Sequence, residues 1–259
     1  MHIVLTLVAV YLVVAYVVLP LAWTHHDRAP GIENLPMRTH TSNGIPGDPI
    51  NVGAIGSRET LLRAFAAAGW SPADPITLRS SLDIALSVVM HRPDDQAPVS
   101  PLFYDGRKQD LAFEKQVGGS ADKRHHIRFW MVKESGEDGR PFWLASAAFD
   151  EGVELSRFTG QVTHHIGADV DAERDFVIDD LTRAHVVERV YEITGSGPTF
   201  YGRNGGGDPY FTDGEVKVAV LVKEPGGAAV QASVETPPVL AQRKRALFDA
   251  YRAATAWLF

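Results

Sequence analysis

Alternating apolar and polar residues over 124–132 open segment 123–150 in the middle of the chain. Because successive side chains of a strand point to opposite faces, Ile127 and Phe129 should lie on one face and His126 and Arg128 on the other. Two glycines and a proline follow, and an apolar run then begins a return strand. This pattern predicts a β-hairpin with one apolar and one more polar face.

Apolar residues recur elsewhere with either helical or strand spacing. Helical spacing predicts helices over 58–68, 77–90 and 171–184. Runs rich in β-branched residues predict strands over 50–55, 158–166, 186–193 and 215–222. The strands cluster in mid-chain between helices, so we expect an α+β fold: a single domain with a largely antiparallel sheet and flanking helices, preceded by one transmembrane helix.

Two segments lack a regular apolar period. Residues 93–116 contain several prolines and are expected to be mostly irregular, either as a binding loop or as a loop packed on the sheet. Residues 194–214 include three consecutive glycines, which favours a flexible surface loop with its greatest mobility at 205–207. This loop lacks the G-x-x-x-x-G-K-[ST] pattern of a phosphate-binding loop.

The N-terminal run from Ile3 to Trp23 contains no charged residue. As a helix it would span about 30 Å, the thickness of the hydrocarbon core of a bilayer. A cleaved signal peptide and a buried core helix are the alternatives, but no A-x-A site follows the run. We therefore predict a retained single-pass anchor over 1–23. Arg28 and Arg38 favour a cytoplasmic location for the residues that follow, although the side of the membrane stays open.

Composition shifts predict three further segments. Residues 24–49 are rich in proline and glycine and are predicted to be a linker, which is followed by a globular domain over 50–236. Residues 237–259 are predicted to form an amphipathic helix whose apolar stripe includes Leu247 and Tyr251. This helix either docks on the domain or lies at the membrane surface.

Overall composition narrows the class of protein. The hydrophobic content of 45% and the charged content of 22% are typical of a globular protein. The net charge of −7 argues against a nucleic-acid partner. The chain has no cysteine, which excludes disulfides, cysteine-ligated zinc and a cysteine nucleophile.

Four blocks of sequence resemble the LssY C-terminal domain family, and they occur in the family's order. They are NVGAIGSRETLLRAFAAAGW (51–70), PVSPLFYDGRKQDLAFEKQ (98–116), RHHIRFW (124–130) and THHIGADVDAERDF (163–176). The family name refers to a type I secretion component. The resemblance therefore implies a bacterial, membrane-associated domain, with the inner membrane as its location and membrane proteins as partners.

Longer members of that family carry several membrane segments, some of them of the phosphatidic acid phosphatase type. This chain has one apolar segment and no phosphatase motif, so the resemblance does not imply lipid phosphatase activity.

Two adjacent histidine pairs, His125-His126 and His164-His165, fall within predicted strands. Strand parity assigns His125 and His164 to apolar faces, and it assigns His126 and His165 to polar faces on which they should converge. Imidazoles combined with carboxylates suit zinc or another divalent metal, for which His126 and His165 are the candidate ligands. The candidate polar site comprises His126, His165, Glu114, Asp169, Asp171, Arg107 and Arg174.

Each of these residues also has a structural interpretation. The alternatives to a metal site are strand histidines that are hydrogen-bonded to the backbone and to Arg124 or Arg174, and histidines that transfer protons. Carboxylates at 169–173 also suit the capping of a helix N-terminus.

Two functions remain open on the sequence alone. The first is a binding or assembly module of a bacterial membrane or secretion-associated complex. The alternative is a membrane-proximal hydrolase, metal-dependent or not, that uses the strand histidines and nearby carboxylates. A cleft lined by His126, His165 and acidic groups would favour the hydrolase.

Overall fold

The computed structural model describes most of the chain. The described residues are 2–18, 35–73, 101–118, 123–160, 162–193, 200–223, 230–237 and 239–255. The helix predicted over 77–90 lies outside these ranges.

A nine-stranded mixed sheet forms the centre of the fold. Its strands are β3 (Val52–Ile55), β4 (Ser71–Pro72), β7 (Leu111–Gln116), β8 (Arg124–Lys133), β9 (Phe142–Leu155), β10 (Val162–Ile166), β11 (Val187–Ile193), β14 (Val216–Leu221) and β15 (Ser233–Val234). The spatial order is β15-β11-β14-β3-β9-β8-β7-β4, and β10 pairs with the outer half of β9. Only the β3–β14 and β11–β15 pairs are parallel among these strands.

The hairpin predicted for 123–150 is the β8–β9 pair. Arg124 lies opposite Asp150, and Phe129 lies opposite Ala145. The predicted alternation is confirmed, because Ile127 and Phe129 belong to one apolar cluster whereas Trp130 belongs to another. Both faces of this hairpin are buried, including its polar positions.

Two helices cover one face of the central sheet, which we call the helix face. They are α2 (Arg58–Ala67) and α3 (Val170–Arg183), and both were predicted from the sequence. The side chain of Ser57 caps α2 by accepting a hydrogen bond from the backbone of Thr60. Phe65 is fully buried beneath this helix and stacks on Phe113 with a centroid separation of 4.4 Å. These contacts anchor α2 on β7.

A four-stranded sheet, which we call the small sheet, covers the opposite face of the central sheet. We call this opposite face the cavity face. Its strands are β1 (Arg38–Thr41), β2 (Pro46–Pro49), β5 (Leu102–Tyr104) and β6 (Arg107–Lys108), in the order β2-β1-β5-β6. The predicted linker over 24–49 is therefore structured from Arg38 onward. The prediction of irregular structure over 93–116 is wrong for its described part, which forms β5, β6 and β7.

The glycine-rich segment forms a hairpin rather than a loose surface loop. Its strands are β12 (Phe200–Arg203) and β13 (Pro209–Thr212). The tip between them is mostly buried, and the carbonyl of Gly206 accepts a hydrogen bond from Arg157. A Cβ atom at Gly205 would clash with Thr41. The glycines therefore permit close packing, which composition alone did not reveal.

Two further helices among the described residues lie near the two ends of the chain. They are α1 (His2–Val13), which continues as a π-helical turn (Val14–Val18), and α4 (Val239–Thr255). In the described part of the chain, no helix is both long and apolar enough to cross a membrane. The predicted anchor, part of which lies outside the described residues, stays a prediction.

Helix α4 contacts the domain through Phe248, which is buried, and through Arg245, which donates to both carboxylate oxygens of Glu192 at 2.9 Å. Leu247 and Tyr251 of the predicted stripe are exposed instead. The described part of the chain is α+β, with four α-helices and mainly antiparallel sheets, as the sequence predicts.

Candidate functional site

A polar cavity of about 190 Å³ lies between the cavity face of the central sheet and the small sheet. Strand β8 contributes His126 and Arg128, and β9 contributes Asp150. The turn between β1 and β2 and the tip of the β12–β13 hairpin close its other sides. Sites for drug-sized ligands typically occupy ~300–1,000 Å³, so this cavity suits a small molecule or one polar group of a larger molecule.

His126 is buried in the wall of this cavity, with 4% of its surface exposed. Its Nδ1 atom lies 2.9 Å from Oδ1 of Asp150, although the direction of approach falls outside hydrogen-bond geometry. Its Nε2 atom has no hydrogen-bond partner among the described residues. A buried polar atom without a partner is costly and rare in native proteins, so this nitrogen requires an explanation.

Asp150 is fully buried and lies close to three cationic or basic side chains, those of Arg124, His126 and His164. Arg124 donates from Nε to Oδ2 at 3.0 Å, and Nδ1 of His164 lies 3.6 Å from the same oxygen. Burial alone would raise the pKa of Asp150, but the neighbouring His126, His164 and Arg124 more than offset it and hold the pKa well below its usual range. Asp150 is therefore an ionised carboxylate at neutral pH.

Arg124 and His164 complete this group. Arg124 also donates to Glu114 at 3.0 Å and lies 2.9 Å from Nε2 of His164. Burial lowers the pKa of His164, and only part of this effect is offset by Asp150, so the ring is neutral at pH 7. The unprotonated nitrogen of a neutral imidazole can accept a hydrogen bond from a guanidinium N–H.

A second carboxylate in the cavity behaves in the opposite way to Asp150. Burial raises the pKa of Asp48, and the attraction of Arg128, whose guanidinium lies 3.8 Å away, offsets this only in part. The cavity thus contains one carboxylate whose pKa is lowered and one whose pKa is raised. Such divergence is a recurring feature of acid–base sites.

At the rim, three possible metal ligands approach one another outside the cavity lining. Nδ1 of His165 lies 3.0 Å from Asp208 and 3.6 Å from Glu154. The pKa of His165 would be lowered by burial but is raised overall, chiefly by its hydrogen bond to Asp208. These atoms all lie within 4.8 Å of one another.

The structure separates the seven residues of the predicted site. Glu114 lies beside His126 on the neighbouring strand, and His165 lies at the rim. Asp169 caps α3, where Asp171 and Arg174 take part in another buried ionic network with Asp213. Arg107 is exposed on the small sheet, where it donates to the carbonyl of Met131.

The pairing of His126 with His165 is wrong, because His164 is the histidine that shares a carboxylate with His126. Parity within β10 did place His164 on the same side as Ile166, as expected. That side, however, is the cavity face, where Ile166 also lines the cavity. Because the cavity face also contains apolar side chains, sharing a side with Ile166 did not show which face of the sheet His164 lies on.

Sequence reasoning missed several residues of the cavity and its rim. They are Asp48, Arg124, Asp150, Glu154, His164 and Asp208. One usable signal was present, since Arg124, His126 and Arg128 share strand parity and so place three basic side chains on one face. The contributions of β2 and the β12–β13 hairpin depend on long-range packing and leave no local signal.

Fold and site together define an α+β domain with a buried histidine–carboxylate cavity. A comparison with family models matches residues 32–216 to the LssY C-terminus family. This match covers well over half of the chain, and the chain belongs to that family. Comparisons with curated proteins and with solved structures find no matching protein.

Proposed function

We propose that the cavity is the active site of a hydrolase in which His126 acts as the general base. The observation that carries this proposal is the Nε2 atom of His126, which is buried at the cavity wall without a partner among the described residues. Asp150, held ionised, stands against the other ring nitrogen at 2.9 Å. A carboxylate at this distance stabilises the protonated imidazole by its charge.

The chemistry requires a nucleophile, a base and a stabiliser of negative charge. Water in the cavity would lose its proton to Nε2 of His126 as it attacks the substrate. Arg128, on the same strand and face, would stabilise the negative charge that develops. Asp48, whose pKa is raised by burial, would protonate the leaving group.

The setting of this site is also a proposal. We place it next to a bacterial membrane through the apolar segment 3–23, whose side chains from Ile3 to Val14 are exposed in the structure. Association with a secretion complex or another membrane protein follows from the family name alone. The binding or assembly module favoured by the sequence remains the alternative if the cavity proves inactive.

Hydrolysis by the full-length protein can be measured with p-nitrophenyl phosphate, bis(p-nitrophenyl) phosphate and p-nitrophenyl acetate. General acid–base catalysis typically contributes about 10²–10⁴-fold, so His126→Gln should reduce kcat/KM at least 100-fold. The matched control is His125→Gln, which changes the adjacent residue on the opposite face of the same strand. It should leave kcat/KM within about threefold.

Circular dichroism would verify that both variants are folded. Absence of turnover with all three substrates, or equal losses in the two variants, would reject the hydrolase and leave the binding module.

A further inference from the structure

We propose that Glu154, His165 and Asp208 form a binding site for a divalent first-row transition metal ion such as Zn²⁺ or Mn²⁺. The site lies at the rim of the cavity, and it is distinct from the His126–Asp150 pair. Its ligand set of one imidazole and two carboxylates suits such ions.

The distances between the ligand atoms fit this proposal. Nδ1 of His165 lies 3.0 Å from Oδ1 of Asp208 and 3.6 Å from Oε2 of Glu154. Metal–ligand bonds of about 2.0–2.2 Å place neighbouring ligand atoms roughly 2.8–3.6 Å apart in tetrahedral or octahedral geometry. Two of the three separations therefore match those of ligands around one ion, and the third lies within 4.8 Å.

The surrounding groups fix the ligands in the manner typical of metal sites. Asp208 is fully buried, and its Oδ2 accepts hydrogen bonds from the backbone of Ile166 at 3.1 Å and from Asn204 at 3.2 Å. Its other oxygen is thereby turned toward His165. Nε2 of His165 lies 3.7 Å from Glu151, so a carboxylate stands on the far side of the imidazole. Metal-bound histidines commonly donate a hydrogen bond to such a carboxylate, and a small shift of Glu151 would bring it within that distance.

Unfavourable contacts within the cluster provide an independent reason for a cation. The ligand oxygens of Glu154 and Asp208 lie within 4.8 Å of each other, so two carboxylates crowd the same space. Oε1 of Glu154 is buried and has no hydrogen-bond partner within the described ranges. A bound cation would relieve the repulsion between the carboxylates and satisfy this oxygen.

The position of the site follows from two structural elements. Glu154 and His165 come from the antiparallel β9–β10 pair, beside the irregularity that offsets Ile166 to Asp150. Asp208 follows the tightly packed glycines of the β12–β13 hairpin. Three protein ligands leave a coordination position open, as in catalytic metal sites.

Isothermal titration of the metal-stripped full-length protein with ZnCl₂ and with MnCl₂ tests the proposal. We expect one ion per chain for at least one of the two metals. Glu154→Gln should weaken binding at least 10-fold and His165→Ala at least 100-fold. Glu151→Gln should weaken it about 10-fold, the lower end of the effect typical of partners that orient a ligand.

Two histidine variants serve as controls. His40→Ala removes an exposed histidine of β1, and His126→Gln removes the proposed base, and neither should change the affinity. X-ray absorption of the zinc-loaded protein should show one imidazole nitrogen, which is lost in His165→Ala. No binding of either ion, or unchanged binding in Glu154→Gln and His165→Ala, would overturn the proposal. Glu154→Gln decides the matter alone if His165→Ala fails to fold.

Discussion

Adjacent histidines on the same strand have opposite environments on the two faces of the central sheet. On the helix face, Nδ1 of His125 lies 2.7 Å from Glu173, and its ring stacks on Phe176 with centroids 3.8 Å apart. On the cavity face, His126 has Asp150 on one side and an unsatisfied Nε2 on the other. Burial alone therefore does not distinguish a structural histidine from a functional one. What sets His126 apart is a buried Nε2 without a hydrogen-bond partner among the described residues.

The largest expected effect comes from removing the carboxylate at the centre of the cavity face. Asp150→Asn breaks one of the two buried ion pairs of Arg124, and the pair with Glu114 remains. Breaking a buried ion pair in this way typically costs about 3–5 kcal/mol of unfolding free energy, which urea denaturation would measure. A loss below 1 kcal/mol would mean that Asp150 does not hold this group together.

Acid should reproduce part of that effect. Because the folded-state pKa of Asp150 lies below its ordinary value of 3.8, its contribution is fully present above the unfolded pKa and is lost as pH falls below about 4. In Asp150→Asn, the decline in melting temperature between pH 5 and pH 3 should be shallower than in the wild type. Parallel declines would contradict this assignment.

A smaller effect is expected on the helix face. His125→Ala removes the contact with Glu173 and the stacking on Phe176, which should cost about 1–2 kcal/mol of unfolding free energy. Hydrolysis should be unaffected after correction for the folded fraction. A catalytic loss as large as that of His126→Gln would remove the distinction between the two faces.

The docking of α4 provides a pH-dependent comparison away from both faces. Burial raises the pKa of Glu215 to about 7, although its ion pair with Lys244 at 2.8 Å opposes the shift. Ionised Glu215 therefore costs stability, and this cost is absent below the unfolded pKa of about 4.5, grows as pH rises toward 7 and levels off above it. Glu215→Gln should be near neutral at pH 5 and stabilising by roughly 2 kcal/mol at pH 8 in urea denaturation. A larger benefit at pH 5 than at pH 8 would contradict the assignment.

The smallest effect concerns the hairpin tip over 205–207, where sequence and structure disagree. Glycine content predicts mobility, whereas the structure buries this tip and hydrogen-bonds it to Asn204 and Arg157. We therefore expect measurable protection of the Gly206 and Gly207 amides from hydrogen exchange. Exchange as fast as in an unfolded peptide would support the sequence-based expectation instead.

Sequence patterns predicted the elements whose signals are local. Strand alternation gave the β8–β9 hairpin, and apolar spacing with the Ser57 cap gave α2. The small sheet was missed because β1 and β2 are short and because β2 begins and ends with proline, a composition typical of linkers. Such strands are stabilised by long-range packing, as the burial of Thr39 and Asp48 shows.

The candidate site was predicted only in part for the same reason. His126 was identified correctly as a polar position of a strand, but its carboxylate partner lies on a neighbouring strand 24 positions later in sequence. The pairing of His164 with His126 depends on which side of β10 faces the small sheet. No local pattern records that choice, since the small sheet was itself not predicted.

The central claim is that His126 and Asp150 act as one catalytic unit, and a double-variant cycle on kcat/KM tests it most directly. His126→Gln, Asp150→Asn and the combined variant would be assayed at a temperature at which circular dichroism shows all three folded. Residues that act as a unit are strongly non-additive, so the double variant should be no slower than the worse single variant, within about threefold. Losses that multiply, or single variants as active as the wild type, would contradict the claim.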